Sequence, residues 1–344
     1  YEVDLVGLRQ FAPEDPFRCR RVRRCGATLR DRLPARVRDV ATGRWLDLAS
    51  VPHYWQPAAS DASPAAARRF DLPRDSPIFA EICSWMNVTI RPGHNKAYGR
   101  VAGSGLATKG MEVVRVEVVH QPELWRRYSS YKGKLKAQAE AIMGHPGTAH
   151  LRKRPMAIPS CDWLDKDVGE AYFWHGSGKT PDGAVDVLDI IVSVGHQQSD
   201  ENASAALEVT DGLTARNAKA TSMFGAGVCL ADLSSKANLY VPCPVCHQGA
   251  YFRKECTCSK AAVDAAAPYR MLLCRAVMGR VYVDQNYEET RYKGPWNPAK
   301  RLGVDSVMGE VGSGKLMFRE YIVYNDSASY PEFIVHYRRR HKPM

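Results

Sequence analysis

The pattern of hydrophobic and polar residues predicts a strand followed by a helix between residues 112 and 141. From Glu112 to Val119 the run is dominated by valine, and β-branched residues at this density favour a β-strand. Pro122 follows closely and interrupts the run. Because the missing N–H of proline is not needed in the first turn of a helix, the sequence predicts a helix from Pro122 to about Ala141.

The remainder of the chain alternates short apolar runs with glycine. Val185–Val194 is predicted to be a helix. Four other runs are predicted to be strands, namely Met223–Leu230, Met271–Met278, Phe318–Tyr324 and Phe333–Tyr337. Many short strands with few helices indicate an α+β domain built on antiparallel sheets. No stretch approaches the roughly 18 consecutive apolar residues of a transmembrane helix, so no membrane partner is expected.

The first 70 residues are predicted to form a separate segment of unknown fold. Pro57–Ala67 is rich in alanine, serine and proline, a composition typical of a linker, and we extend the linker to about Asp75. The main domain is then expected to span residues 76–344. Because the first residue is Tyr1 rather than Met, we expect the chain to be part of a longer protein.

Positive charge is concentrated in the N-terminal segment. The chain carries a net charge of +11, and nine arginines lie between Arg18 and Arg38. Such a segment can bind the phosphates of a nucleic acid backbone, with an affinity that depends steeply on salt concentration. Nucleic acid is therefore a candidate partner. No aromatic residue interleaves these arginines, so the stacking platform of a single-strand binder is missing. A solvated surface or a fragment of a neighbouring domain is the alternative.

Four short motifs follow one another in a fixed order and outweigh every other feature of the chain. They are Trp174–Ser177, Met223–Val228, Ser234–Lys236 and Phe318–Tyr324. Together they resemble the catalytic domain of the poly(ADP-ribose) polymerase family, tankyrases included. The resemblance takes in Pro122–Tyr128, Met271–Gly279 and Tyr330–Tyr337 and covers roughly Ser76 to the C-terminus. It implies the ADP-ribosyltransferase fold, with two packed, mainly antiparallel β-sheets flanked by helices.

The resemblance implies an NAD+-dependent ADP-ribosyltransferase. Such a pentosyltransferase cleaves the nicotinamide–ribose bond of NAD+ and transfers ADP-ribose to an acceptor, here expected to be a protein. Breaking that bond leaves an oxocarbenium-like sugar, so the catalyst needs a carboxylate near the ribose and a pocket for the departing base. We expect the protein to be intracellular, in the nucleus or the cytoplasm.

Residue roles follow from the same resemblance. Glu320 matches the catalytic glutamate, which implies a hydrogen bond to the nicotinamide ribose and support for chain elongation. Taken alone, it is also compatible with a charge on an edge strand. His175 and Gly176 match a pair in which the histidine grips the adenosine ribose and the glycine backbone holds the nicotinamide amide. Tyr240 matches the tyrosine that stacks on nicotinamide.

Two positions depart from the family pattern. Cys229 stands where the family has a second tyrosine, and Ala237 stands where it has a serine that binds the nicotinamide amide. The lost stacking is worth roughly 0.5–1.5 kcal/mol and the lost hydrogen bond about 0.5–1.5 kcal/mol, so NAD+ should bind about one to two powers of ten more weakly. Because Glu320 and His175 are present, we expect an active enzyme. A pseudoenzyme that acts as a binding module is the alternative.

Four of the ten cysteines form two close pairs, Cys243 with Cys246 and Cys256 with Cys258. Two such pairs can direct four thiolates at one structural Zn2+, and tankyrases carry a structural zinc in the corresponding loop. The alternatives are that His247 replaces one thiolate, that the four cysteines form two disulfides, or that they are free thiols. The other cysteines show no metal spacing and are predicted to be buried free thiols: Cys19, Cys25, Cys83, Cys161, Cys229 and Cys274.

Two glycine-rich stretches imitate a phosphate-binding loop. Gly176–Thr180 lacks the first glycine of the motif, because Phe173 occupies that position. Gly309–Lys315 has the spacing but is followed by Leu316 instead of serine or threonine. A nucleoside triphosphatase is therefore a minor alternative.

Overall fold

A computed structural model of the chain describes short strands within residues 2–47 by their backbone, and the following ranges in full or nearly so: 67–91, 110–153, 156–159, 161, 163–178, 186–196, 223–225, 227–248, 256–292, 301–311 and 316–340. The described part is a mixed α+β structure in which two mainly antiparallel sheets are accompanied by helices. The predicted fold class is confirmed at this level.

The described residues form 14 strands. In chain order they are β1 Glu2–Asp4, β2 Arg9–Ala12, β3 Asp15–Arg21, β4 Arg36–Asp39, β5 Trp45–Asp47, β6 Arg68–Asp71, β7 Gly110–His120, β8 Glu170–His175, β9 Val228–Leu230, β10 Tyr269–Val277, β11 Val281–Asp284, β12 Ser306–Gly309, β13 Glu320–Val323 and β14 Ser329–Arg340. Strands β1 to β3 form a small sheet of their own.

The two larger sheets meet at one backbone bridge. The larger sheet has the order β5-β4-β6-β7-β14-β10-β8, and the smaller has the order β11-β12-β13-β9. Neighbouring strands are antiparallel except β11 and β12. Trp174 at the end of β8 donates its N–H to the carbonyl of Ala231 at 2.7 Å and accepts one in return at 3.0 Å. The end of β8 is thereby fixed beside β9.

Short helices cover the sheets. They are α1 Pro77–Val88, α2 Pro122–Lys136, α3 Ala139–Gly144, α4 Pro146–Lys153, α5 Val187–Val194, α6 Ser234–Asn238 and α7 Lys260–Ala265. Proline begins α2 as predicted, and the side chain of Gln121 caps the helix by accepting the N–H of Glu123 at 3.0 Å. Within the described ranges, no helix combines the length and the apolar character that a membrane crossing requires.

The larger sheet is covered on both faces. Met271 and Leu273 of β10 pack into a core with α1, whereas Leu272 and Cys274 pack into a second core with α2, α5 and the smaller sheet. This division follows from the alternation of side chains along a strand. Because both faces are buried, β10 has a continuous apolar run, which the sequence analysis interpreted correctly as a strand.

Two predicted elements are wrong in their extent. The helix from Pro122 ends at Lys136 instead of about Ala141, because the chain turns at 137–138 before α3 begins. The predicted strand Met223–Leu230 shrinks to Val228–Leu230, since Gly225 has φ +74°, which is outside the range of a strand. The other predicted strands are present, and β14 is longer than predicted.

The predicted domain division stays a prediction. β4, β5 and β6 precede residue 76 and pair within the larger sheet, with β6 alongside β7. The side chains between Arg18 and Arg38 lie outside the described residues, as do all residues of the loop at 197–222. The predicted contact of the arginines with nucleic acid therefore stays a prediction.

Candidate active site

Residues from three of the motifs, together with the residue that follows the fourth, converge where the two sheets meet. His175 ends β8, Cys229 lies in β9, Lys236 lies in α6 and Glu320 begins β13. β9 and β13 are neighbours, and Cys229 is in register with Ile322. Side chains two apart along a strand share a face, so Glu320 and Ile322 lie on the same face of the smaller sheet.

Lys236 holds the carboxylate of Glu320. The Lys236 ammonium binds Oε2 of Glu320 and donates to the carbonyl of Arg319 at 3.2 Å. The two side chains are sheltered, at 5% and 15% exposure respectively, so water screens their attraction less than it would at the surface. Within the described part of the chain no hydrogen bond to Oε1 is formed. The pairing therefore fixes the carboxylate while leaving Oε1 as an acceptor.

The ring of His175 has a defined tautomer. Its Nδ1 lies 3.1 Å from the carbonyl oxygen of Cys229, and a carbonyl only accepts, so Nδ1 carries a proton. The neutral ring then presents Nε2 as a hydrogen-bond acceptor. Burial lowers the pKa of His175 below its ordinary value, and the Cys229 carbonyl offsets this in part. The histidine is therefore neutral near pH 7.

Cys229 corrects one prediction. Its side chain is exposed, not buried, because β9 turns it towards the cleft. Protein nevertheless surrounds it, and this enclosure together with the carboxylate of Glu320 raises the pKa of the thiol to about 12, against the opposing effect of Lys236. At neutral pH the thiol is protonated and uncharged, and therefore a poor nucleophile.

The backbone after β8 packs directly against α6. A Cβ atom on Gly176 would lie 1.9 Å from the carbonyl oxygen of Ala237, so a side chain at this position requires a shift of backbone. Ala237 is buried, whereas Tyr240, whose N–H donates to the Ala237 carbonyl at 3.1 Å, is 39% exposed. Ala237 thus contacts both Gly176, the residue after His175, and the backbone of Tyr240.

A cavity of about 440 Å³ borders the loop that follows β8. Ser177, Pro242 and Arg270 are among the residues that line it. Arg270 is paired with Asp186 and Asp189 of the first turn of α5, at 2.5 and 2.9 Å, so it adds little free positive charge to the cavity wall. The volume suits a small molecule.

Sequence reasoning assigned no role to several residues of this site. Lys236 belongs to a quoted motif, but its partner lies 84 positions away. Arg319 donates to Glu310 at 3.0 Å, and His150 contacts the other oxygen of Glu310 at 3.1 Å. This partly buried network anchors Arg319, the residue that precedes Glu320. His196 packs against His175. The sequence around His196 does not indicate this contact, because His175 belongs to another segment of the chain.

The predicted metal ligands converge. The four Sγ atoms of Cys243, Cys246, Cys256 and Cys258 lie within 4.8 Å of one another, and the Cys246 and Cys256 sulfurs are 3.5 Å apart. A Zn2+ tetrahedron with Zn–S bonds of about 2.3 Å has sulfur–sulfur edges of about 3.8 Å, so the cluster fits a metal such as zinc. His247 is not one of the four clustered ligands in the described part of the chain.

The first pair of cysteines has a turn suited to a metal. The N–H of Val245 donates to the sulfur of Cys243 at 3.4 Å, and the N–H of His247 donates to the Cys243 carbonyl at 3.0 Å. The first of these contacts favours a negatively charged sulfur, and the second closes the turn. No disulfide links the cysteines whose side chains are described. Of the six non-cluster cysteines, Cys161 and Cys274 are buried as predicted, Cys83 is half-buried and Cys229 is exposed, both contrary to the prediction, and Cys19 and Cys25 lie outside the described side chains.

The chain matches none of the known protein families in a comparison with their sequence models. The convergence of residues from separate motifs is therefore the main argument for a function.

Proposed function

We propose that this chain is an NAD+-dependent ADP-ribosyltransferase with the fold of the poly(ADP-ribose) polymerase catalytic domain. The observation that carries the proposal is the meeting of His175, Cys229, Lys236 and Glu320 where the two sheets meet. Three of these residues come from motifs that the sequence resemblance selected without knowledge of the fold, and Cys229 directly follows the fourth motif, Met223–Val228. Local sequence does not bring them together, since hydrogen-bonded partners among them are 54 and 84 positions apart.

The reaction breaks the bond between C1′ of the ribose and N1 of nicotinamide. The electron pair returns to N1 and neutralises the pyridinium, while positive charge develops at C1′. Oε1 of Glu320 accepts a hydrogen bond from the ribose 2′-hydroxyl and places negative charge beside C1′. Lys236 holds this carboxylate in place. A nucleophilic atom of the acceptor then bonds to C1′ and loses its proton to the solvent or a base.

The remaining residues bind and orient NAD+. His175 accepts a hydrogen bond from an adenosine ribose hydroxyl through Nε2, Gly176 offers its backbone to the nicotinamide amide, and the ring of Tyr240 stacks on nicotinamide. Cys229 supplies a small, uncharged wall in place of an aromatic ring. With one stacking partner instead of two, binding is weaker than the family pattern implies.

We also propose that the four clustered cysteines hold a structural Zn2+. Four protein ligands leave no open position, so the metal activates no water. Cys243 follows Tyr240 by three residues, and Arg339 donates to the intervening Val241 carbonyl at 2.8 Å. A metal held by these cysteines would restrain the loop that carries Tyr240. A protein acceptor and an intracellular location, nuclear or cytoplasmic, are proposed from the family resemblance alone.

Transfer from labelled NAD+ tests the catalytic proposal. We expect the wild-type chain to become labelled or to label an added protein, with release of nicotinamide. Glu320→Gln should lower transfer by about 10²- to 10³-fold, the effect of removing one group that stabilises developing charge, while NAD+ affinity measured by calorimetry changes little. Glu123→Gln, an exposed glutamate on α2 paired with Arg126, is the matched control and should retain wild-type transfer.

Two results would count against the assignment. Unchanged transfer by Glu320→Gln would remove the role given to this carboxylate. Absence of NAD+ binding by the folded wild-type chain would favour the pseudoenzyme that acts as a binding module.

A further inference from the structure

A second histidine lies directly beside His175. His196 follows α5, is 2% exposed, and has its ring centroid 4.7 Å from that of His175 with the ring planes 79° apart. This geometry is edge-to-face, which aromatic rings prefer because the positive edge of one ring meets the negative face of the other. The contact joins α5 to the end of β8.

One nitrogen of His196 has no conventional partner. Nδ1 lies 3.0 Å from the hydroxyl oxygen of Ser329, whereas Nε2 is buried and forms no hydrogen bond within the described residues. A buried polar group without a hydrogen bond is unfavourable. The packing of the ring on His175 is therefore the contact through which His196 acts on its neighbour.

We propose that His196 is a positioning residue of the donor site, whose ring packs edge-to-face with the imidazole of His175 and holds it in place. This inference rests on the donor-site role proposed above for His175. The Cys229 carbonyl fixes one side of the His175 ring, and His196 fixes the plane of the ring. Together they direct Nε2 of His175 towards the ribose.

The contact also keeps His175 neutral. The His196 ring covers the imidazole of His175, and burial lowers the pKa of His175 because it disfavours the charged form. The other ionisable groups of the cleft add little to this balance, because Lys236 and Glu320 are paired with each other and Cys229 is an uncharged thiol. Burial lowers the pKa of His196 itself well below its ordinary value, and His175 adds to the effect.

The first test needs no ligand. NMR titration of the His175 ring should give a pKa below the ordinary histidine value of about 6.5 in the wild-type chain. In His196→Ala the pKa should rise towards the ordinary value, whereas in His196→Phe, which retains a ring edge, it should stay near wild type. His120→Ala is the matched control. His120 is also buried but lies on β7, three places from β8 in the sheet, and its loss should leave the His175 titration unchanged.

The second test measures NAD+ affinity. At pH 8, His196→Ala should bind NAD+ about two- to tenfold more weakly, the range expected for one aromatic pair, and the defect should grow at pH 6 as His175 becomes protonated. His196→Phe should bind within about twofold of wild type, since most of the ring contact survives.

The outcomes separate this inference from the proposed function. An unchanged His175 titration in His196→Ala, or NAD+ binding by His196→Phe as weak as by His196→Ala, would overturn the positioning role. A wild-type chain that shows the expected titrations but binds no NAD+ would instead overturn the proposed function, while the contact between the two histidines would stand.

Discussion

Replacing Arg275 with methionine should destabilise the fold strongly at pH 7. The guanidinium is buried and donates to both carboxylate oxygens of Glu332, at 2.9 and 2.8 Å, and to the hydroxyl of Tyr172 at 3.2 Å. It also lies 3.7 Å from Glu170. The two glutamate side chains have no exposed surface, so Arg275 neutralises charge that water cannot reach.

The expected penalty can be worked from the protonation of Glu332. Burial already raises the pKa of Glu332 in spite of Arg275, so without the guanidinium this carboxyl takes a proton in the folded state. Protonating a glutamate of unfolded pKa about 4.3 at pH 7 costs about 3.7 kcal/mol, at 1.36 kcal/mol per pH unit. That value lies within the roughly 3–5 kcal/mol found when a buried pair loses one partner. Glu170 still has Lys132 as a partner at 3.0 Å. Protonation of Glu332 alone is therefore enough to remove the unpaired negative charge.

Urea unfolding at two pH values tests this reasoning. Above about pH 4.3 the folded variant binds one proton more than the unfolded chain, so its penalty relative to wild type falls as the pH is lowered, to about 1.6 kcal/mol at pH 5.5. Adding Glu332→Leu should recover much of the loss, because no unpaired charge is then left. A penalty below about 1 kcal/mol at pH 7, or one equal at both pH values, would refute the assignment of the cost to Glu332.

Three further variants or treatments probe the site. A zinc chelator should lower the melting temperature, and elemental analysis should find about one zinc per chain; a chain without metal and with an unchanged melting curve would contradict the four-cysteine metal site. Cys229→Tyr should tighten NAD+ binding about two- to tenfold by restoring a stacking wall, and an unchanged Kd in calorimetry would mean that residue 229 does not face nicotinamide. Gly176→Ala should cost about 1–3 kcal/mol of stability and weaken NAD+ binding by displacing α6; a variant with wild-type melting and affinity would show that the close approach to Ala237 is not required.

Elements with a dense local signal were predicted well. The valine run of β7 and the apolar run of β10 have both the composition and the length of buried strands, and the proline before α2 marks its start. The prediction failed where one backbone angle decides the structure. Gly225, with its positive φ, turns an apolar stretch into a bend, and apolar composition does not reveal that angle.

The site was predictable as a set of residues and not as a set of contacts. The motifs selected His175 and Glu320, but the partner that holds Glu320 was assigned no role because Lys236 comes from another segment. The environment of Cys229 was predicted wrongly for the same reason. A cysteine is usually buried, and its exposure here depends on how β9 is paired with β13.

The position of β14 has a consequence for how the protein is made. This strand is the last of the described strands to leave the ribosome, yet it lies in the middle of the larger sheet, between β7 and β10. Its His336 meets Glu117 of β7 across 219 positions of chain. Until β14 is synthesised, β7 and β10 each present an unpaired edge, and such edges invite pairing with other chains. Contacts of this range also form slowly. We expect the larger sheet to close only after β14 has been synthesised. Between the synthesis of β7 and that of β14, the nascent chain therefore needs protection from aggregation.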